Sequence, residues 1–186
     1  MNDDIDKSFS ATLRMFDHKL NFLELLHEKP ALATVRLFSG GFYAGPPQEH
    51  DHSSLLGLRR NEQAGAVESL KLHFRHTASG YILSIKNEGE YYNKLVSESW
   101  LEVLGAVDSD EENPTAFTLI DHNNKPVTLN NLATHSPISL RTEDKKYLGG
   151  LKINGSPYVY LASTAERSKI IFILSILERK VPSTAS

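Results

Sequence analysis

The runs Ile138-Ser139-Leu140, Lys145-Lys146-Tyr147-Leu148, Tyr158-Val159-Tyr160-Leu161-Ala162 and Ile170-Ile171-Phe172-Ile173-Leu174 decide the fold class of this chain. Apolar residues alternate within the runs and polar turns separate them, which is the pattern of short strands with one buried face. The same plan recurs upstream. One copy reads Tyr81-Ile82-Leu83-Ser84-Ile85, Gly89-Glu90-Tyr91-Tyr92, Trp100-Leu101-Glu102-Val103-Leu104 and Ala116-Phe117-Thr118-Leu119-Ile120. The most degenerate copy reads Thr34-Val35-Arg36-Leu37, Gly40-Gly41-Phe42-Tyr43, Leu55-Leu56-Gly57-Leu58 and Val67 through Phe74. A unit used three times implies that no copy buries its own apolar face alone.

Working outward, breakers at Gly45-Pro46-Pro47, Gly80, Gly89, Asn113-Pro114, Asn123-Asn124 and Asn154-Gly155 punctuate residues 31–182, the span expected to form one all-β domain. Residues 1–30 read differently. Ile5, Phe9, Leu13, Phe16, Leu20, Leu23 and Leu26 recur at steps of three and four, acidic residues crowd the start, and Lys29-Pro30 marks a stop. This spacing predicts one N-terminal amphipathic α-helix, whose apolar stripe packs on the β domain, docks on a partner, or joins a second copy in a homo-oligomer.

At 186 residues the chain suffices for one substantial core. A formal net charge of -3 argues against a nucleic-acid partner, because phosphate recognition needs a concentrated basic face. The chain has no cysteine, which removes disulfides, thiolate metal sites and cysteine nucleophiles together. No basic, apolar leader opens the sequence, so a cytoplasmic location is expected. The longest apolar run, near Ile170 to Leu177, is too short for a membrane span.

Three units of about four strands, with Gly89-Glu90-Tyr91-Tyr92 and Lys145-Lys146-Tyr147-Leu148 at turns and Phe74, Phe117 and Phe172 at closing positions, resemble the β-trefoil superfamily. That resemblance implies an all-β fold with pseudo-threefold symmetry, here preceded by the helix. The alternatives are a β-sandwich or another small closed barrel, which many short strands also suit. No Gln-x-Trp of the ricin-like lectins is present, and the pattern is nearer to fascin-like and other non-ricin trefoils. Those families bind glycans, actin or other proteins and are generally not enzymes.

The chemistry-bearing residues are few. If Leu101, Val103, Val159 and Leu161 face the interior, Trp100, Tyr158 and Tyr160 face outward, where flat rings can stack on a sugar or anchor a protein interface. Asp121, Asn123 and Asn124 form a polar turn able to bond hydroxyls. Together these six are the expected ligand-binding residues of a lectin-like, non-enzymatic protein. The alternative is a protein-interaction module using the N-terminal helix or the acidic loop Asp108 to Asn113. His50-Asp51-His52 lacks a third ligand at a metal-site spacing, and the acidic loop lacks the glycine and terminal glutamate of a calcium loop. No nucleophile elbow or phosphate loop occurs, so no catalytic residue, metal or cofactor is expected, and a hydrolase with an unrecognised site stands third behind the two binding readings.

Overall fold

The computed structural model describes residues 5–35, 38–39, 42–43, 46, 48–143 and 145–182, with the backbone alone at 38–39 and 42–43. In chain order its strands are β1 Phe9–Arg14, β2 His18–Phe22, β3 Leu32–Val35, β4 Phe38–Ser39, β5 Phe42–Tyr43, β6 Gln48–Asp51, β7 Leu56–Arg60, β8 Leu70–Thr77 and β9 Gly80–Ile85. They continue as β10 Leu95–Trp100, β11 Val103–Val107, β12 Phe117–Ile120, β13 Pro126–Val127, β14 His135–Thr142, β15 Tyr147–Lys152, β16 Val159–Thr164 and β17 Phe172–Arg179. One five-residue helix, Leu23–His27, follows β2 directly.

Antiparallel pairing runs β1, β8, β9, β10, β11, β16, β15, β14, β17 and back to β1, a closed circuit of nine strands. Closure leaves this circuit without a free edge. Strand β12 bridges β9 and β14, and β13 pairs with β12. On the other side β7 joins β16, and β2 joins β7. A separate two-stranded sheet, β3 with β6, leaves the barrel between the short helix and β7.

The expected β-trefoil behind an N-terminal amphipathic helix is therefore corrected to a closed antiparallel barrel that takes in the N-terminus. Among the described residues no long helix runs through the opening segment: Ile5 and Asp6 alone are helical before the strand begins at Phe9. Phe9, Ala11 and Leu13 are all buried while Ser10, Thr12 and Arg14 alternate with them. That period of two places β1 between β17 and β8. The three- and four-residue spacing misled because it skips Ala11 and counts Phe16, which is 89% exposed at the turn before β2. The partner or second-copy surface expected on that helix disappears with it.

Physical reasons for the barrel are local. Phe9 stacks on Phe74 with centroids 4.6 Å apart, and Tyr81 meets both rings edge-on. Phe74, Phe117 and Phe172 are fully buried in this main core. The run expected as one strand over Trp100 to Leu104 breaks instead, because Leu101 adopts a left-handed φ of 53° between β10 and β11. Nothing in a leucine advertises a turn.

A second apolar cluster lies on the opposite face of β16. Val159 and Leu161 belong to the barrel core, whereas Tyr158, Tyr160 and Ala162 pack with Leu23, Leu26, Ala31, Ala33, Val35 and Leu55. The short helix and the β3–β6 excursion thus cover the face that the alternation turns outward. Gly57 permits the approach, since a Cβ there would meet Leu23 Cδ2 at 2.3 Å and the Val159 carbonyl at 2.5 Å. Among the described residues no helix is long and apolar enough to cross a membrane.

Candidate functional site

The six expected ligand-binding residues fall into two groups. Trp100, Tyr158 and Tyr160 come together, with Trp100 6.0 Å and Tyr158 6.4 Å from Tyr160 by ring centroid. Tyr160 is fully buried and Tyr158 nearly so, which leaves only the half-buried Trp100 accessible. Their polar ends are satisfied internally. Tyr158 donates its hydroxyl hydrogen to the Leu32 carbonyl at 3.3 Å, and the Tyr160 hydroxyl lies 2.6 Å from Ser156 Oγ and 2.6 Å from His52 Nδ1.

Asp121, Asn123 and Asn124 sit elsewhere, in the turn joining β12 to β13. The Asp121 carboxylate accepts from the Asn123 and Lys125 backbone N–H groups, and these bonds hold its pKa below the ordinary aspartate value. Asn124 accepts from Lys169 Nζ at 2.9 Å. Two members of this polar turn are therefore bonded within the chain, and they share neither a ring contact nor a cavity with the aromatic group. The loop Asp108 to Asn113 is a solvated turn in which Asp108 pairs with Lys94 at 3.2 Å.

A different place has the makings of a site. A cleft of about 380 Å³ opens between the start of the short helix, the segment before β8, and the turn from β9 to β10. Phe22, Leu25, Val67, Ile85 and Tyr91 give it apolar surface. Glu24, Glu28, Glu68, Glu88 and Glu90 supply carboxylates, Asn21 and Asn87 add amides, and among the described residues no lysine or arginine lines it. Apolar surface with a few convergent polar groups is the ordinary make-up of a ligand cleft.

The elements position these groups by simple rules. Phe22 ends β2 stacked on Tyr91, centroids 4.0 Å apart. Glu24 lies in the first turn of the helix, whose opening N–H groups at Leu23 and Glu24 donate to the Leu55 and Ser53 carbonyls. Gly89, at φ 134°, turns the chain after β9 so that Glu90 and Tyr91 face back toward that turn of helix. Tyr91 donates its hydroxyl hydrogen to Glu24 Oε1, and its oxygen lies 3.4 Å from the Ser53 carbonyl.

Glu24 and Glu90 line the same cleft, near enough for the Glu24 charge to act on Glu90. Repulsion by the Glu24 charge, with the shared hydrogen bond next in weight, raises the Glu90 pKa above the ordinary glutamate value. Burial first, and then the bond to Glu24, pushes the Tyr91 phenol far above its ordinary value. Such a pair gains from either a proton or an external cation.

The sequence names only one half of this cleft, the turn Gly89-Glu90-Tyr91-Tyr92. Helical spacing picks out Leu23 and Leu26 and skips Glu24 between them, while Glu90 and Tyr91 read as part of a turn pattern. The available signal was the excess of glutamate with no adjacent cation in Glu88-Gly89-Glu90. Among the described residues no group of three or more metal-ligating side chains is assembled. No family model, curated protein or solved structure matches this chain.

Proposed function

We propose that this chain is a non-enzymatic binding protein whose glutamate-lined cleft receives a lysine or arginine side chain from a basic segment of a protein partner. This is the interaction-module reading, moved from the N-terminal helix and the acidic loop to the cleft. The carrying observation is that Glu24 and Glu90 stand beside the apolar surface of Phe22 and Tyr91, in a cleft that no lysine or arginine among the described residues lines. A lysine or arginine stem suits the apolar wall while its charged head meets the carboxylates.

Calorimetry with a short Lys/Arg peptide tests it. Glu24→Gln and Glu90→Gln should each weaken binding by about tenfold or more, the order of one charge-assisted hydrogen bond. A peptide with its basic residues replaced by glutamine should not bind. Affinity should rise with pH through the raised Glu90 value, because the deprotonated pair is the receptive form. Equal affinity for basic and neutral peptides would sink the reading.

A second, carbohydrate-binding reading keeps one observation in its favour, the half-buried Trp100 ring 5.7 Å from the half-buried His50. Stacking on one accessible ring predicts glycan-array binding that Trp100→Ala abolishes and Glu90→Gln leaves alone.

A further inference from the structure

The segment His50-Asp51-His52-Ser53 touches two buried assemblies at once. His52 is 2% exposed, and its ring lies 4.3 Å from Trp100 and 5.3 Å from Tyr160 by centroid. Its Nδ1 meets the Tyr160 hydroxyl, while its Nε2 is buried with no hydrogen-bond partner among the described residues. One residue later, the Ser53 carbonyl accepts from the Glu24 backbone N–H at 3.4 Å and faces the Tyr91 hydroxyl at the same distance. The segment also ties down the start of the excursion. His52 N–H donates to the Ala31 carbonyl at 2.7 Å, and Ala31 N–H donates to Ser53 Oγ at 2.9 Å.

We propose that the cover formed by β3, β6 and His52-Ser53 is a pH-sensitive latch on the cleft: a proton added to His52 loosens the cover and withdraws the Ser53 carbonyl from behind Glu24 and Tyr91. This regulation rests on the cleft being the binding site. An imidazolium carries two N–H donors, and at Nε2 the cluster offers no acceptor, so the charge is left without a hydrogen bond among buried rings.

The groups facing His52 come from each element packed on it. Its own segment brings His50, stacked at 5.6 Å, and Asp51; β16 brings the Tyr160 phenol, against which Tyr158 packs from just before the strand; β10 brings the uncharged Trp100. Behind Tyr158 lies His27 of the short helix, 4.8 Å away. Asp51 is the one anion among them, and its carboxylate already accepts from the Ser53 N–H at 3.0 Å. Burial holds the His52 pKa below the ordinary imidazole value, His50 pushes it the same way, and Asp51 opposes. A depressed folded-state pKa contributes stability that is present above the ordinary imidazole range. That contribution is lost as pH falls through the folded value.

Trp100 is the only tryptophan in the chain, so its fluorescence reports on this cluster alone. Acidification of the full chain should shift Trp100 emission to longer wavelength in one step. Over the same pH range, amides of Ala33, Val35 and His52 should lose exchange protection while Leu72, Phe74 and Leu83 in the barrel keep theirs. His52→Gln and His52→Phe should remove the step, and His50→Gln should displace it to higher pH. Emission and protection that stay constant until the barrel itself unfolds overturn the latch, as does a step that survives in both His52 variants. If either variant fails to fold, the wild-type His52 ring resonances decide: titration in step with the cover amides supports the latch, and titration without them overturns it. Basic-peptide affinity measured in parallel separates the two readings. A peptide that binds at no pH overturns the cleft, and with it the latch's control of binding, while the fluorescence step still reports whether the cover opens. Binding whose pH dependence is identical in wild type and His52→Phe overturns the coupling and leaves the cleft standing.

Discussion

His73 shows what a single buried side chain imposes on this barrel. It sits in β8 at 1% exposure, its Nε2 2.8 Å from the Val181 carbonyl and its Nδ1 buried without a partner among the described residues. Burial depresses its pKa and outweighs the opposing bond to Val181. The folded barrel therefore favours neutral His73, with Nε2–H donating to the carbonyl. The associated stability is present above the ordinary imidazole range and lost as pH falls through the depressed value. Urea melts across that range should show wild type losing stability as pH falls and His73→Gln losing distinctly less, because glutamine keeps an amide donor and carries no titrating ring. Parallel pH profiles for the two proteins would refute this role. Nothing local in the sequence marks His73 for this role, since the Val181 carbonyl that defines its chemistry lies 108 residues away.

At the scale of elements, strands were legible where alternation ran cleanly and illegible where the turn lacked a marker. Tyr81 to Ile85 reads as a strand and forms most of β9. Leu101 instead turns the chain with a left-handed backbone at 60% exposure, a conformation that side chains other than Gly, Asn and Asp seldom adopt. The turn is held from outside: Glu102 pairs with Lys146, and its carbonyl accepts from the Ser163 N–H at 2.9 Å. The union of the short helix with β7 is equally tertiary. Gly57→Ala should destabilise the fold by about 1 to 3 kcal/mol through overpacking against Leu23 and the β16 backbone, read as a lowered urea midpoint. An unchanged midpoint would mean that the helix shifts freely. Because this helix carries Glu24, the same substitution should also weaken basic-peptide binding.

At the scale of the whole molecule, the N-terminus closes the barrel. Strand β1 lies between β8 and β17, and Phe9, Ala11 and Leu13 are buried in the main core. Deleting residues 1–28 should leave a chain that does not fold cooperatively, with no sharp thermal transition and no native strand signal in circular dichroism. Loss of Phe9 alone removes a fully buried aromatic, a change that typically costs about 3 to 5 kcal/mol. A truncated chain that melted cooperatively would show that closure is dispensable. The site follows from the same architecture, because the cleft needs the end of β2, the excursion's Ser53 and the β9–β10 turn in one place. Glu24 and Tyr91 are 67 residues apart in sequence, so no local spacing reveals their hydrogen bond.

By itself, the sequence determined that this chain is all-β over most of its length, because a period of two in apolar side chains permits only a strand with one buried face. It also excluded cysteine chemistry, through composition alone. Only the tertiary structure decided that Phe9–Arg14 and His18–Phe22 are strands rather than turns of one long helix, since their apolar spacing fits both periods until β8 and β17 supply the hydrogen bonds of the first and β7 those of the second. Alternation turned Tyr158 and Tyr160 away from the barrel core, but it could not say whether water or another part of the chain meets them. The covering excursion settled that. The acidic cleft likewise exists only after folding, because charges far apart along the chain act on one another once the backbone brings them within a few ångströms.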